Sequence, residues 1–207
     1  VLGGSATVPE LEPLPADHLI VTADAWTNQV IAPLGCSFQL TVTQEQVAYF
    51  DPGPGSGLDR MPVWIWMDDP SFYGLPAVDG SGVKIGQDVG GAVVTAEERS
   101  FGPDPAYRQR LVDFQERLVP GCTGTIVEER TCLYTMTPDR EFVLDHLPGH
   151  PGAVVGLGAA HGYKFASVFG RILVELAIDG TTEHDISAWS ATRPALVTPA
   201  ASPSFLL

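Results

Sequence analysis

The sequence predicts a fold of the α/β (α+β) class, in which a split α/β domain is interrupted by a mainly antiparallel sheet. A short apolar strand followed by a helix lies near the start, at residues 18–31, and a second strand–helix unit lies near the end, at residues 153–178. Between them, short stretches rich in β-branched and aromatic residues surround one helical stretch. Strand–helix units at both ends of a chain favour one domain built from the two ends.

The individual elements follow from hydrophobic spacing and from breakers. In residues 104–118, apolar side chains fall on one helical face, and Pro120 and Gly121 end the pattern. In residues 161–178 a second apolar stripe predicts a long helix. The remaining predictions are a helix over 25–31 and strands over 18–23, 38–50, 62–67, 72–75, 82–86, 125–135, 141–144 and 153–156.

Charge and cysteine content restrict the function classes. The formal net charge of -14 disfavours nucleic acid and anionic membrane surfaces as partners, because both repel an acidic protein. No apolar run approaches the roughly 20 residues that span a bilayer, and the first residues lack the basic and apolar regions of a signal peptide. The odd number of cysteines, three, does not indicate a disulfide framework, so we expect a reducing, cytoplasmic location.

Lysine is rare in this chain. Of the 11 lysine and arginine residues, only Lys84 and Lys164 are lysines, so each is a candidate for a specific role. If residues 82–86 form a strand, Lys84 shares a face with Gly82 and Gly86, and we expect open space for a flat ring or a water beside it. The alternative is an edge-strand lysine that prevents aggregation.

A glycine motif, GLGAAHG, follows a predicted strand and opens the predicted helix at residue 161. It differs from a dinucleotide fingerprint, because its spacing is GxGxxxG and no strand carrying an acidic residue follows the helix. Helix N-termini offer unpaired N–H groups, which suit an anionic or electron-rich ligand. The alternative is a purely structural tight turn.

Cys132 lies in RTCLYT, at the predicted end of an apolar strand. A lone cysteine is more often a buried structural residue than a reactive one, and Cys36 and Cys122 fit that interpretation better. No spacing of Cys and His matches a zinc site, and neither GxSxG nor HExxH occurs, so we expect no metal.

Long stretches of the chain resemble monomeric sarcosine oxidases and N-methyltryptophan oxidases. The resemblance rests on CLYT, TPD, GLGAAHGYKF, DGTTEHDIS and RPAL near the end, on FYGLP and GVKIG in the middle, and on ADHLIVTADAW near the start. It implies part of a Rossmann-type FAD-binding domain, at residues 1–37 and 138–207, interrupted by a substrate domain at residues 38–137. It also implies an FAD-dependent oxidase that uses oxygen to turn a secondary or N-methyl amino acid into an imine and hydrogen peroxide.

The resemblance also implies roles for individual residues. Cys132 matches the cysteine bonded through sulfur to the flavin 8-methyl carbon, and Lys84 matches the lysine that activates oxygen through a water. Lys164 matches the lysine that binds the substrate carboxylate, next to the flavin. The further matches are Tyr73 and Tyr134 in the substrate pocket, and Ala159, Ala160, His161, Gly162 and Tyr163 near the pyrimidine edge of the flavin.

Three departures from the family pattern stand out. Asp88 replaces a pocket histidine, and Asp24 and Ala160 stand where the family often has glycine. The Gly-rich segment for the ADP half of FAD is absent from these residues, so we expect a missing N-terminal Rossmann segment as partner. The alternatives are a deglycating oxidase of fructosyl amino acids and a catalytically inert assembly module.

Overall fold

The computed structural model describes residues 15–198 of the 207. Within this part the chain forms two separate sheets with helices packed on them, which confirms the predicted α/β class. The strands are β1 (Leu19–Val21), β2 (Thr41–Phe50), β3 (Trp64–Trp66), β4 (Phe72–Leu75), β5 (Val83–Gln87), β6 (Ala92–Val93), β7 (Ile126–Met136), β8 (Val143–Leu147) and β9 (His150–Leu157). The helices are α1 (Thr27–Ile31), α2 (Pro105–Leu118), α3 (Ala166–Asp179) and α4 (Pro194–Val197).

The smaller sheet joins the two ends of the described chain. Its order is β1-β9-β8, with β1 parallel to β9 and β8 antiparallel to it. Helix α3 covers one side, where Ile172, Leu173 and Leu176 pack on Leu144 and Val154. Because β1 and β9 are more than 100 residues apart, their parallel pairing requires a long excursion of the chain. The domain boundaries at residues 37/38 and 137/138 stay a prediction.

The larger sheet is antiparallel and is built from the part of the chain between β1 and β8. Its order is β3-β4-β5-β2-β6, and β7 pairs along the length of β2. Helix α2 packs on one face, where Phe114 stacks on Phe72 with ring centres 4.1 Å apart and on Trp64 at 5.6 Å. The buried side chains of this core are Ala48, Phe50, Phe72, Ala77, Val83, Ile85, Tyr107, Leu111, Phe114 and Val119.

Helix α2 begins and ends as its sequence predicts. The carboxylate of Asp104 accepts hydrogen bonds from the main-chain N–H groups of Ala106 and Tyr107, which caps the N-terminus. Pro105 occupies the first position, where no N–H is needed. The helix ends at Leu118, before Pro120 and Gly121.

Several predicted bounds are wrong. The last long helix begins at Ala166, not at residue 161, and the preceding loop holds Ala159 and Ala160 in left-handed conformations with φ of 46° and 72°. A single 3₁₀ turn, Tyr163–Phe165, precedes it. The strand predicted over residues 153–156 is a longer hairpin partner of β8, and Gly149 at φ 80° makes the turn.

Smaller deviations occur elsewhere. β2 begins at Thr41 rather than at residue 38, and a 3₁₀ turn, Asp24–Trp26, precedes α1. The short strand β6 was not predicted, because two residues carry no periodicity. Among the described helices, none combines the length and the apolar character that a membrane crossing requires.

Candidate active site

Four of the predicted site residues lie on one face of the larger sheet. Residues opposite one another in an antiparallel pair point to the same side. Tyr73 lies opposite Gly86, two residues from Lys84 on β5. Through β2 the same face continues to β7, where Glu45 is the partner of Cys132 and Thr43 is the partner of Tyr134. The side chains that pack in the α2 core, Ala48, Phe50 and Ile85, alternate with these residues and point to the opposite face.

Lys84 lies on an interior strand. β5 has β4 on one side and β2 on the other, which excludes the edge-strand alternative. The expectation of open space beside Lys84 is wrong. A Cβ on Gly86 would come within 2.7 Å of the Tyr73 ring, and one on Gly82 within 2.9 Å of the Phe50 carbonyl oxygen. Gly86 therefore makes room for the tyrosine ring, and the Lys84 ammonium stands 5.8 Å from the centre of that ring.

The two pocket tyrosines meet at their hydroxyl groups. The Oη atoms of Tyr73 and Tyr134 are 3.5 Å apart. Burial raises the pKa of both hydroxyl groups, and the neighbouring Cys132 and Asp88 act in the same direction. Both hydroxyls therefore stay neutral at ordinary pH and can each donate a hydrogen bond.

Cys132 lies in the middle of β7, not at a strand end as predicted. Its side chain is exposed in an open cleft. Surrounding protein atoms still displace part of its water, and this desolvation raises the pKa of the thiol. The charge of Glu45 acts in the same direction, whereas the ammonium of Lys84 favours the thiolate. Lys84 and Cys132 are thus near enough to interact electrostatically.

A cleft of about 690 Å³ lies between β7 and the loop that joins β9 to α3. That volume is within the range of about 300–1,000 Å³ that is usual for small-molecule sites. The lining residues include Asp24, Cys132, Tyr134, Gly158, Ala160, Gly162 and Tyr163. The structure therefore brings the predicted cysteine and the predicted glycine motif to one cavity.

The loop over residues 158–162 is tightly wound. A Cβ on Gly162 would lie 2.5 Å from the Cα of Gly158, so the two glycines allow a close main-chain approach. Ala159 is fully buried. Within the described part of the chain, the N–H groups of Ala159, Ala160 and Gly162 have no hydrogen-bond acceptor. These three donors suit an electron-rich ligand edge, although α3 itself begins later than predicted.

His161 and Lys164 bind the loop rather than the tyrosine pair. The Nε2 atom of His161 lies 2.9 Å from the carbonyl oxygen of Arg140. Lys164 donates from Nζ to the carbonyl oxygen of His161 at 2.7 Å, and its side chain is exposed. Among the described contacts of Lys164, none is with Lys84, Tyr73 or Tyr134.

Three further charged residues lie near these groups: sequence reasoning gave no role to Glu45 and Arg140, and it placed Asp88 at a pocket position of the family only by resemblance. Glu45 is 1% exposed and accepts hydrogen bonds from Thr43, Tyr107 and the N–H of Gly91. Arg140 is buried and forms an ion pair with Asp88. For Glu45 the sequence offers one signal, a carboxylate in the middle of a predicted strand. No sequence pattern or residue spacing indicates that residues 88 and 140 form a pair.

Asp24 lines the cleft in a left-handed conformation with φ of 44°. Burial raises the pKa of its carboxyl group, while hydrogen bonds within the protein act in the opposite direction. No cluster of three or more His, Cys, Asp or Glu side chains placed to hold a metal ion occurs in residues 15–198.

Comparison with known proteins gives consistent relatives. The monomeric sarcosine oxidase of Bacillus sp. (strain B-0618) is 33% identical over 187 residues, covering 87% of this chain and 48% of the relative. Human peroxisomal sarcosine oxidase is 31% identical, with 86% and 48% covered. N-methyl-L-tryptophan oxidase of Salmonella newport is 27% identical, with the same coverage. The chain thus spans about half the length of these relatives.

Solved structures share the fold. NikD, described as an unusual amino acid oxidase essential for nikkomycin biosynthesis, superposes with a TM-score of 0.72 at 25% identity, covering 84% of this chain and 47% of that one. The deglycating fructosamine oxidase Amadoriase II of Aspergillus fumigatus gives 0.69 at 18% identity, with 87% and 46% covered. The family model for FAD-dependent oxidoreductases matches residues 3–176. The chain therefore belongs to the FAD-dependent oxidoreductase family.

Proposed function

We propose that the chain is part of an FAD-dependent oxidase of a secondary or N-methyl amino acid, which forms an imine and hydrogen peroxide. The observation that carries this proposal is the shared sheet face of Lys84, Tyr73, Tyr134 and Cys132, beside an open cleft. The sarcosine oxidase and N-methyltryptophan oxidase relatives support an amine as the substrate class.

The chain's residues fit the isoalloxazine part of FAD. The cleft has an adequate volume, and the N–H groups of Ala159, Ala160 and Gly162 would hold the electron-rich pyrimidine edge, with His161 and Tyr163 completing that loop. Cys132 would hold the 8-methyl carbon through a thioether, for which the thiol and the methyl group each lose one hydrogen and oxygen serves as the two-electron oxidant. When bound, FAD accepts a hydride equivalent from the amine and passes electrons to oxygen. The protein supplies position and charge.

Four side chains would then have separate roles in binding the amine and in oxygen reduction. The neutral hydroxyls of Tyr73 and Tyr134 line the amine pocket and can donate hydrogen bonds. Lys164 would bind the substrate carboxylate, for which its ammonium must turn away from the carbonyl oxygen of His161. Lys84 provides a fixed positive charge beside the site where oxygen becomes negative.

A further segment would complete the FAD site. In the described part of the chain, β1 is an edge strand whose Leu19 and Ile20 are 44% and 41% exposed. An exposed apolar edge is suited to pairing with another strand. Because the relatives are about twice as long, we propose that an N-terminal Rossmann segment pairs here and binds the ADP half of FAD.

The test is amine-dependent peroxide formation by this chain together with that segment. Sarcosine, N-methyltryptophan, a fructosyl amino acid and a primary amino acid are offered separately under air. We expect turnover of an N-methyl amino acid. Turnover of the fructosyl substrate alone would favour a deglycating oxidase, and a flavin-loaded protein that oxidises none of the four would refute the proposal.

A further inference from the structure

Arg140 and Asp88 form a two-point contact next to the candidate site. Nη1 of Arg140 lies 3.3 Å from Oδ2 of Asp88, and Nη2 lies 3.4 Å from Oδ1. The Arg140 side chain is 7% exposed and that of Asp88 is 17% exposed. An ion pair with so little solvent contact holds its geometry more firmly than a surface pair.

The main chain of Arg140 is fixed from several sides. Its φ of 59° lies in the left-handed region, which residues with a Cβ rarely adopt. The N–H donates to the carbonyl oxygen of Thr137 at 3.1 Å, and the carbonyl oxygen lies 2.9 Å from Nε2 of His161. Arg193 donates to the carbonyl oxygens of residues 141 and 142. Such a conformation persists only where the surroundings determine it, and it aims the side chain at Asp88.

Asp88 belongs to the sheet face that carries Lys84. It follows Gly86 by two residues, and its N–H donates to the carbonyl oxygen of Ser71 at 2.9 Å, so the pairing with the β4 side continues past the end of β5. By strand alternation its side chain points to the same face as Lys84 and Tyr73. Its charge also reaches both tyrosine hydroxyls, whose pKa values are raised first by burial and further by Asp88.

We propose that Asp88 is a substrate-binding residue that accepts a hydrogen bond from the amine nitrogen, and that Arg140 is the positioning residue that holds it. The two contacts with Arg140 leave further lone pairs on the carboxylate. A neutral secondary amine has an N–H to donate and a neutral tertiary amine has none. Asp88 therefore selects secondary over tertiary amino acids. This inference rests on the proposed function.

The test compares sarcosine with N,N-dimethylglycine in the complete flavin-loaded oxidase. Arg140→Gly removes the guanidinium, keeps the carbonyl that contacts His161, and suits the left-handed φ. We expect the ratio of kcat/KM for sarcosine to that for N,N-dimethylglycine to fall about tenfold or more, the scale of one hydrogen bond to a charged group. In the double variant Asp88→Ala with Arg140→Gly the ratio falls no further than in Arg140→Gly, because both substitutions remove the same interaction. Arg140→Lys recovers part of the ratio.

A control and a stability measurement separate positioning from folding. Arg108→Ala removes another arginine–carboxylate pair, with Glu129, and leaves the ratio unchanged. Thermal unfolding checks that each variant is folded. Equal losses for both substrates would show a structural role only and overturn the inference. Wild-type turnover with an unchanged ratio in Arg140→Gly overturns this inference alone, whereas a wild type that oxidises no amine overturns the proposed function and this inference with it.

Discussion

Replacing Lys84 by methionine removes the positive charge that β5 places beside the Tyr73 ring. The side chain is half-buried on an interior strand, and its ammonium lies 5.8 Å from the Tyr73 ring centre. An oxygen molecule reached through one bridging water would lie about 6 Å from Nζ. At that distance and an effective dielectric constant of about 20, two unit charges interact by about 2.8 kcal/mol. The negative charge that develops on oxygen loses this stabilisation, which corresponds to about 10²-fold in rate.

Stopped-flow measurement of the two half-reactions in the complete oxidase tests this value. We expect Lys84→Met to slow reoxidation of the reduced enzyme by oxygen about 10²-fold, and anaerobic reduction by the amine much less. Lys84→Arg is the matched control, because it keeps the charge. If reoxidation is unchanged in Lys84→Met, the lysine has no part in oxygen reduction, and the argument from its position is wrong.

Three further predictions concern binding, packing and thiol reactivity. Lys164→Met weakens binding of carboxylate-bearing amines about tenfold or more and affects amines without a carboxylate much less, as steady-state KM values will show; equal losses contradict the role. Phe114→Ala lowers the free energy of unfolding by about 3–5 kcal/mol in urea titration, because its ring stacks on two aromatic neighbours, whereas Phe101, 77% exposed, tolerates alanine. Burial raises the pKa of Cys122 to about 11, so at pH 8 only about one thiol in a thousand is ionised, and alkylation followed by mass spectrometry should be slow until the pH approaches 11.

The sequence predicts where helices and strands lie better than it predicts which strands pair with one another. Helix α2 has an N-cap, a proline at its first position and a stripe of apolar residues, all of which are local signals. The pairing of β1 with β9 has no local signal, because strand order depends on contacts between residues far apart in the chain. The pattern predicts the start of α3 at residue 161, whereas a turn through left-handed Ala159 and Ala160 and a 3₁₀ turn precede the helix, which begins at Ala166.

In the candidate site, too, some features follow from the local sequence and others depend on contacts between distant residues. Alternation along β5 correctly separates Lys84 from the buried Ile85, and the family resemblance points to Cys132 and the tyrosines. What fills the space beside Gly86 depends on the neighbouring strand, which the residues of β5 do not encode. The pair of Asp88 with Arg140 joins residues 52 positions apart, so only the folded chain reveals it.

The central claim is tested most directly by asking whether flavin is covalently attached to Cys132. The complete protein is precipitated with acid, digested, and its flavin-bearing peptides are identified by fluorescence and mass. The account predicts that yellow flavin stays with the protein, on the peptide that contains Cys132, and that Cys132→Ser releases it while Cys122→Ser does not. Flavin that leaves the wild-type protein on precipitation, or that is found on another residue, would contradict the assignment of Cys132 as the residue that attaches the flavin.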